Sequence, residues 1–149
     1  MAFLIPRADE QRRLAAPVSA YAELLDVRIF LLHGEVMKVD AKSDLQEIET
    51  LQTTMGIGRD GSHITYQFEH ELTAQDADGM DALKVQVNLG VLFRFPDEGD
   101  PNGEVSEESL VAFGSTTAQL AAHPYLRSAV SDVTSKLGFP QVTLGLLKS

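Results

Sequence analysis

The sequence contains no cysteine and no tryptophan. Without cysteine there is no disulfide, no thiolate nucleophile and no zinc site of the cysteine type. That absence suits a reducing cytoplasm, where the chain is expected to reside. No run approaches 18 apolar residues, so no membrane-spanning helix is expected. The N-terminal MAFLIPRADEQRR places its charges after a short apolar start, the reverse order of a secretory signal. Basic residues are scarce: 12 Lys and Arg stand against 22 Asp and Glu, a formal net charge of -10. So acidic a chain is not expected to bind nucleic acid, which needs cations to displace counterions, or to dock on anionic membranes. It is compatible with high solubility and a basic protein partner.

What is present is apolar periodicity. The 149 residues fit one domain, 1–149, large enough for its own core. Residues 7–25 are mixed, with helix on either side of an interrupting Pro17. LLDVRIFLLHGEVMK, 24–38, is strand-like and apolar on both parities, the mark of a strand covered on both faces. DLQEIETLQTTM, 44–55, has Leu45, Ile48, Leu51 and Met55 at helical spacing but threonines that lean toward strand. HITYQFEHEL alternates strictly, with Ile64, Tyr66, Phe68 and Leu72 on one face. ALKVQVNLGVLFRF continues the alternation from Leu83 to Phe95. AQDADGMD between them is a turn, so the two form an antiparallel hairpin.

After PDEGDPNGE, 96–104, the period becomes helical. Ser106 is the expected N-cap, with Glu107 and Glu108 in the first turn. Leu110, Phe113, Thr117 and Leu120 are expected to line one face. A second helix is expected to open near Pro124 and to bury Leu126, Val130, Val133 and Leu137. Gly138 at the C′ position and Pro140 end it. Strands followed by helices imply an α+β fold.

Candidate chemistry is thin. GIGRDG, 56–61, matches a dinucleotide-binding pattern but is followed by a strand instead of a helix, so it reads as a glycine-rich turn. His33, His63, His70 and His123 show no metal-ligand spacing and read as surface or capping residues. The acidic loops lack the EF-hand order and read as solvated turns. Ser115 lacks the nucleophile elbow. No catalytic residue, cofactor site or metal site is expected. The remaining signal is an apolar surplus beyond one sheet face and two helix stripes: Phe30, Leu32, Met37, Ile48, Met55, Phe139, Val142, Leu144, Leu146 and Leu147. It fits either core plus a subunit interface, or an apolar groove for protein segments.

HPYLRSAVSDVTSKLGFPQVTL resembles the second helix and following segment of the SecB chaperone family. The match runs through Pro124, Tyr125, Arg127, Ser131, Asp132, Thr134, Ser135, Lys136, Gly138, Phe139 and Pro140. EESLVAFGSTTAQLAAHPYLR resembles the SecB-like chaperones associated with toxin–antitoxin systems. The resemblance implies a four-stranded antiparallel sheet followed by two helices packed on one face, assembled as a homotetramer, a dimer of dimers. Strands are then expected over 24–38, 44–56, 63–74 and 82–95, helices over 106–137, an N-terminal segment over 1–22 and a tail over 139–149. The implied function is ATP-independent holding of unfolded or partly folded chains, either export precursors or an antitoxin. The export motor SecA is an implied further partner. Residues expected to touch clients, by position and apolarity, are Phe30, Leu32, Met37, Ile48, Met55, Tyr125, Val133, Leu137, Phe139, Val142 and Leu144. The rival expectation is a non-catalytic oligomeric scaffold with the same fold.

Overall fold

The computed structural model describes residues 3–37, 51–139, 144 and 147–148. In chain order these form β1 (Phe3–Leu4), α1 (Ala8–Ser19), β2 (Glu23–Val36), β3 (Gln52–Asp60), β4 (His63–Gln75) and β5 (Asp81–Arg94). A 3-10 turn (Asp97–Gly99), α2 (Glu107–Phe113), a π-helical turn (Gly114–Ala118), α3 (Gln119–Lys136) and β6 (Leu147–Lys148) follow. The α+β order is as expected: β2 to β5 make one antiparallel sheet in the order β2-β5-β4-β3, and the helices follow it.

Alternation decides the two faces. Ile64, Tyr66, Phe68 and Leu72 of β4 register with Phe93, Val91, Leu89 and Val85 of β5, and all eight are buried under the helices. Thr65, Gln67, Glu69, Glu71 and Thr73 point to the other face, which no helix among the described residues covers. Asp76 turns the hairpin by accepting the N–H groups of Asp78 and Met80. The second acidic loop is organised in the same way. Buried Asp100 accepts from Glu104 N at 2.6 Å, Val105 N at 3.0 Å and the Arg59 guanidinium at 3.1 Å. Burial alone would raise its pKa, but these partners together hold it below the usual carboxylate value. Both loops therefore differ from the solvated turns expected: each buries one aspartate as a local scaffold.

Two boundary expectations are corrected. Gly56–Asp60 is strand, not turn: it pairs residue by residue with His63–Gln67, and Gly61 (φ 59°) and Ser62 make the bend. Gln52–Met55 is strand, as the resemblance implied and against its helical spacing, through pairing with Phe68–Glu71; positions 44–50 lie outside the described residues. Pro17 does not interrupt α1. It sits in the last turn, where its missing N–H deprives only the carbonyl of Arg13, an exposed residue.

The helical run from Glu107 to Lys136 has no loop in it, so Pro124 lies inside α3 and does not open it. Ser106 caps α2 by accepting Ser109 N at 3.1 Å, as expected. The junction is the π turn. Its extra residue rotates every later position, so the buried stripe passes from Ala112, Phe113 and Thr116 to Ala118, Ala122 and Leu126. Thr117 and Leu120, expected on that stripe, are exposed instead. Beyond the turn the expected stripe holds: Leu126, Val130 and Val133 are buried and Leu137 half-buried. Gly138 (φ 84°) ends the helix, with Phe139 N donating to Thr134 O at 3.2 Å.

Two histidines are core residues, against the expectation of surface or capping roles. His70 on β4 and His123 on α3 are both buried. Thr53 Oγ1 lies 3.1 Å from His70 Nδ1, and the Phe68 ring stacks nearby. His70 Nε2 has no hydrogen-bond partner among the described residues. Burial first, and the positive charge of His123 second, bring the His70 pKa down to about 4.

Two predictions follow from this packing. A Cβ at Gly114 would lie 2.5 Å from Met55 Sδ and 2.6 Å from Tyr66 Cε1. Gly114→Ala is therefore expected to cost about 1–3 kcal/mol by forcing the helix off the sheet, read by chemical denaturation. For His70, the unfolded chain takes up the proton near the ordinary value of 6.5, before the folded chain does. Stability is thus expected to fall as pH drops from about 6.5 to about 4, by a few kcal/mol at most (roughly 1.4 per pKa unit). His70→Phe is expected to flatten that part of the stability–pH curve relative to the unaltered chain.

Candidate functional site

The sheet has two edges, and β2 forms the apolar one. Leu24, Ile29 and Leu32 register with Phe93, Leu89 and Val87, so they point to the helix side. Leu31 registers with Asn88 and points to the open side. The register shifts between Leu24 and Asp26 and between Ile29 and Leu31 mark bulges at Leu25 and Phe30. The second bulge turns the Phe30 ring over Gly90, on the open side. Its effect is to put large apolar groups on both faces of one edge strand. Phe30 is 53% exposed and Leu32 46%, and Leu24, Leu25, Ile29, Leu31 and Met37 are exposed beside them. The strand read as covered on both faces is instead only partly packed on its helix side, at Val27, Gly34 and Val36, and is open on the other face among the described residues, because it lies at the edge instead of the centre.

An edge strand of 14 residues, unpaired on its outer side among the described residues and bearing exposed apolar side chains, is a template for pairing with another chain. The surrounding charge is modest. Arg28–Asp26 and His33–Glu35 lie on β2 at 3.3 Å each, and Lys84–Glu71 joins the neighbouring strands at 3.1 Å. These exposed pairs contribute little to stability and leave the edge electrostatically plain. Among the described residues, no group of three or more His, Asp or Glu side chains is placed to share a metal ion. No helix among them is long and apolar enough to cross a membrane.

The residues expected to touch clients do not converge on one place. Phe30, Leu32 and Met37 share the β2 edge. Val133 and Leu137 meet β2 at Gly34, where an added Cβ would collide with Val133 and approach Leu137 Cδ1 to 3.0 Å. Val133 is buried there and Leu137 half-buried, beside Leu32 on the same face. Met55 is on β3, at the opposite edge of the sheet, half-buried against the π turn. Tyr125 is exposed on α3. Phe139 and Leu144 are buried by the chain itself. Ile48 and Val142 lie outside the described residues.

A second locus was not anticipated. β1 and β6 pair in parallel, Phe3 with Leu147 and Leu4 with Lys148, beside α3. The Phe3 ring packs edge-on against His123 at 6.1 Å between centroids, and Ile5 is buried. Arg127 Nε donates to Leu144 O at 2.9 Å, tying the tail to α3. The signals for it in the sequence are the short apolar start AFLIP and the surplus leucines Leu144 and Leu147, and nothing local links the two.

No protein-family model matches the sequence. The chain is 42% identical over 154 aligned positions to the SecB-like chaperone MT2006 of Mycobacterium tuberculosis, covering 91% of this chain and 83% of that protein. It is 42% identical over 50 residues to the SecB-like chaperone Rv1957 of the same species, 34% of this chain and 25% of that protein. Among solved structures, that Rv1957 chaperone in complex with a ChAD peptide from the Rv1956 HigA1 antitoxin superposes with a TM-score of 0.79 and 27% identity. The superposition covers 92% of this chain and 98% of the other. Four antiparallel strands, the helical run behind them and this likeness along nearly the whole sequence agree: the chain belongs to the SecB-like chaperone family.

Proposed function

We propose that the chain is a non-catalytic holdase chaperone. Without ATP, it binds extended apolar segments of unfolded or partly folded proteins and keeps them from aggregating. The observation that carries this reading is the β2 edge, with exposed apolar side chains on both faces and, among the described residues, an unpaired backbone edge between them. Each client side chain buried there contributes about 1.5–3 kcal/mol, and backbone pairing adds direction without demanding a particular sequence. The foremost client is the apolar segment of an antitoxin, a choice supported by the antitoxin peptide bound to the Rv1957 neighbour. Export precursors, passed on to the motor SecA, are the second client class that family membership suggests. The cytoplasm is the compartment proposed.

The same edge favours self-association. Two copies of β2 can join antiparallel and bury part of the exposed row, and pairing of such dimers through their helix sides would give the homotetramer. In that assembly the apolar groups that pairing leaves uncovered line the grooves: Phe30, Leu32, Met37, Tyr125 and Leu137, with Met55 at the far edge. The scaffold reading differs at one point only, that assembly leaves no groove open.

Two measurements test this. The purified chain is expected to delay light scattering by an unfolding client in a stoichiometric way. Phe30→Ser/Leu32→Ser is expected to weaken client binding roughly 10- to 100-fold, since both side chains are already in water and the fold loses little. Native mass spectrometry is expected to show a tetramer that gains the mass of an apolar peptide. A stable oligomer that accepts no peptide and never delays aggregation would leave the scaffold reading.

A further inference from the structure

Phe3–Leu4 and Leu147–Lys148 meet beside α3, with Phe3 packed against the edge of the core. Residues 3–5 are extended and apolar, and they connect to α1 through Pro6 and Arg7. Arg7 adopts a left-handed backbone (φ 50°, ψ 45°) with no side-chain cap on the helix that follows. A non-glycine residue holds that conformation only where its surroundings enforce it. On the α1 side Gln11 N donates to Arg7 O at 3.0 Å and Glu10 pairs with the Arg7 guanidinium at 3.5 Å; on the Phe3–Ile5 side the described contacts are a ladder two residues long with β6, the Phe3 ring on His123 and the burial of Ile5. Leu4, between them, is 73% exposed. The receiving surface is more firmly made. Leu144 is fully buried, its carbonyl is held by Arg127, and His123 and Ala122 are buried in α3.

We propose that the segment Phe3–Ile5 is a strap that occupies a client subsite on α3 and β6, acting as a client built into the chain. The proposal rests on the holdase reading above and names a subsite of it. The ligand class follows from the strap's own chemistry: an extended apolar segment with an aromatic residue, paired in parallel with Leu147–Lys148, its ring edge-on to His123. A client able to extend the ladder beyond two residues displaces the strap. Displacement relieves the strained Arg7 backbone, so opening is favoured once the subsite is filled from outside. A tethered competitor has an effective concentration in the millimolar range, which sets a threshold that weak apolar sequences do not cross. Apparent affinity is the intrinsic affinity multiplied by the fraction of chains with the strap open.

The absence of cysteine from the natural sequence gives a reversible test in the full chain. Phe3 and Leu147 are direct partners, and neighbouring strands lie about 4.8 Å apart, within disulfide reach. Phe3→Cys/Leu147→Cys locks the strap when oxidised and frees it when reduced. The probe is a labelled peptide of residues 2–7, Ala-Phe-Leu-Ile-Pro-Arg, titrated by fluorescence anisotropy. The reduced form is expected to bind it at least roughly tenfold more tightly than the oxidised form. Ile5→Ser, which loosens the strap without a lock, is expected to bind it more tightly than the natural chain. Equal binding by oxidised and reduced forms, or binding by neither, overturns the proposal. Light scattering with an unfolding client separates the two readings. If the protein suppresses aggregation while the peptide ignores the lock, only the strap falls. If no form of the protein suppresses aggregation, the holdase reading falls with it.

Discussion

Close approach of one helical run to one sheet is the constraint from which the other features follow. The approach is set at two glycines. At Gly34 the sheet leaves room for Val133 and Leu137 of α3, and at Gly114 the π turn leaves room for Met55 and Tyr66. The two contacts lie near opposite edges of the sheet, on β2 and against β3, so the run crosses above all four strands. Tyr66 helps hold it there by donating its hydroxyl to Leu110 O at 2.7 Å, and burial pushes that phenol's pKa well up. A sheet packed so tightly on one side puts its core into the β4–β5 hairpin, where alternating residues are almost all buried.

That concentration leaves the edge strand with little to bury. β2 contributes Val27, Gly34 and Val36 to the packed side, and its other apolar groups remain in water. A soluble monomer would normally blunt such an edge with charge or proline. Here the bulges do the opposite, adding Leu25 and Phe30 to the exposed row. A strand built in this way is suited to meeting other chains. It needs no acid, base or metal, because the free energy comes from apolar area and backbone pairing.

Much of the fold was legible because it rests on local patterns. Strict alternation in 63–72 and 82–95 marked the hairpin, and the caps at Ser106 and Gly138 marked the ends of the helical run. The failures share a cause. Gly56–Asp60 was read as a turn for its glycines, yet those side-chain-free positions sit on the uncovered sheet face, where nothing needs to pack. Thr117 and Leu120 were placed on the buried stripe because a π turn has no signature in apolar spacing. His70 and His123 were placed at the surface because neither position announces the partner that buries it. Of the candidate site, Phe30, Leu32 and Met37 were legible as surplus apolar residues. Their grouping on one edge was not, since strand order is not written in any one strand.

The sequence by itself determined the composition-level facts: an acidic chain without thiols, strands before helices, and more apolar residues than one core consumes. Those follow from residue chemistry and from periods of two and 3.6, which need no knowledge of neighbours. Family resemblance in 105–144 was legible too, since a run of spaced residues along one helix is local. Only the tertiary structure decided which strand lies at the edge, which faces bulged residues reach, and that Phe3 and Leu147 are partners. The physical reason is that exposure is a property of packing: the same leucine is core on β5 and binding surface on β2.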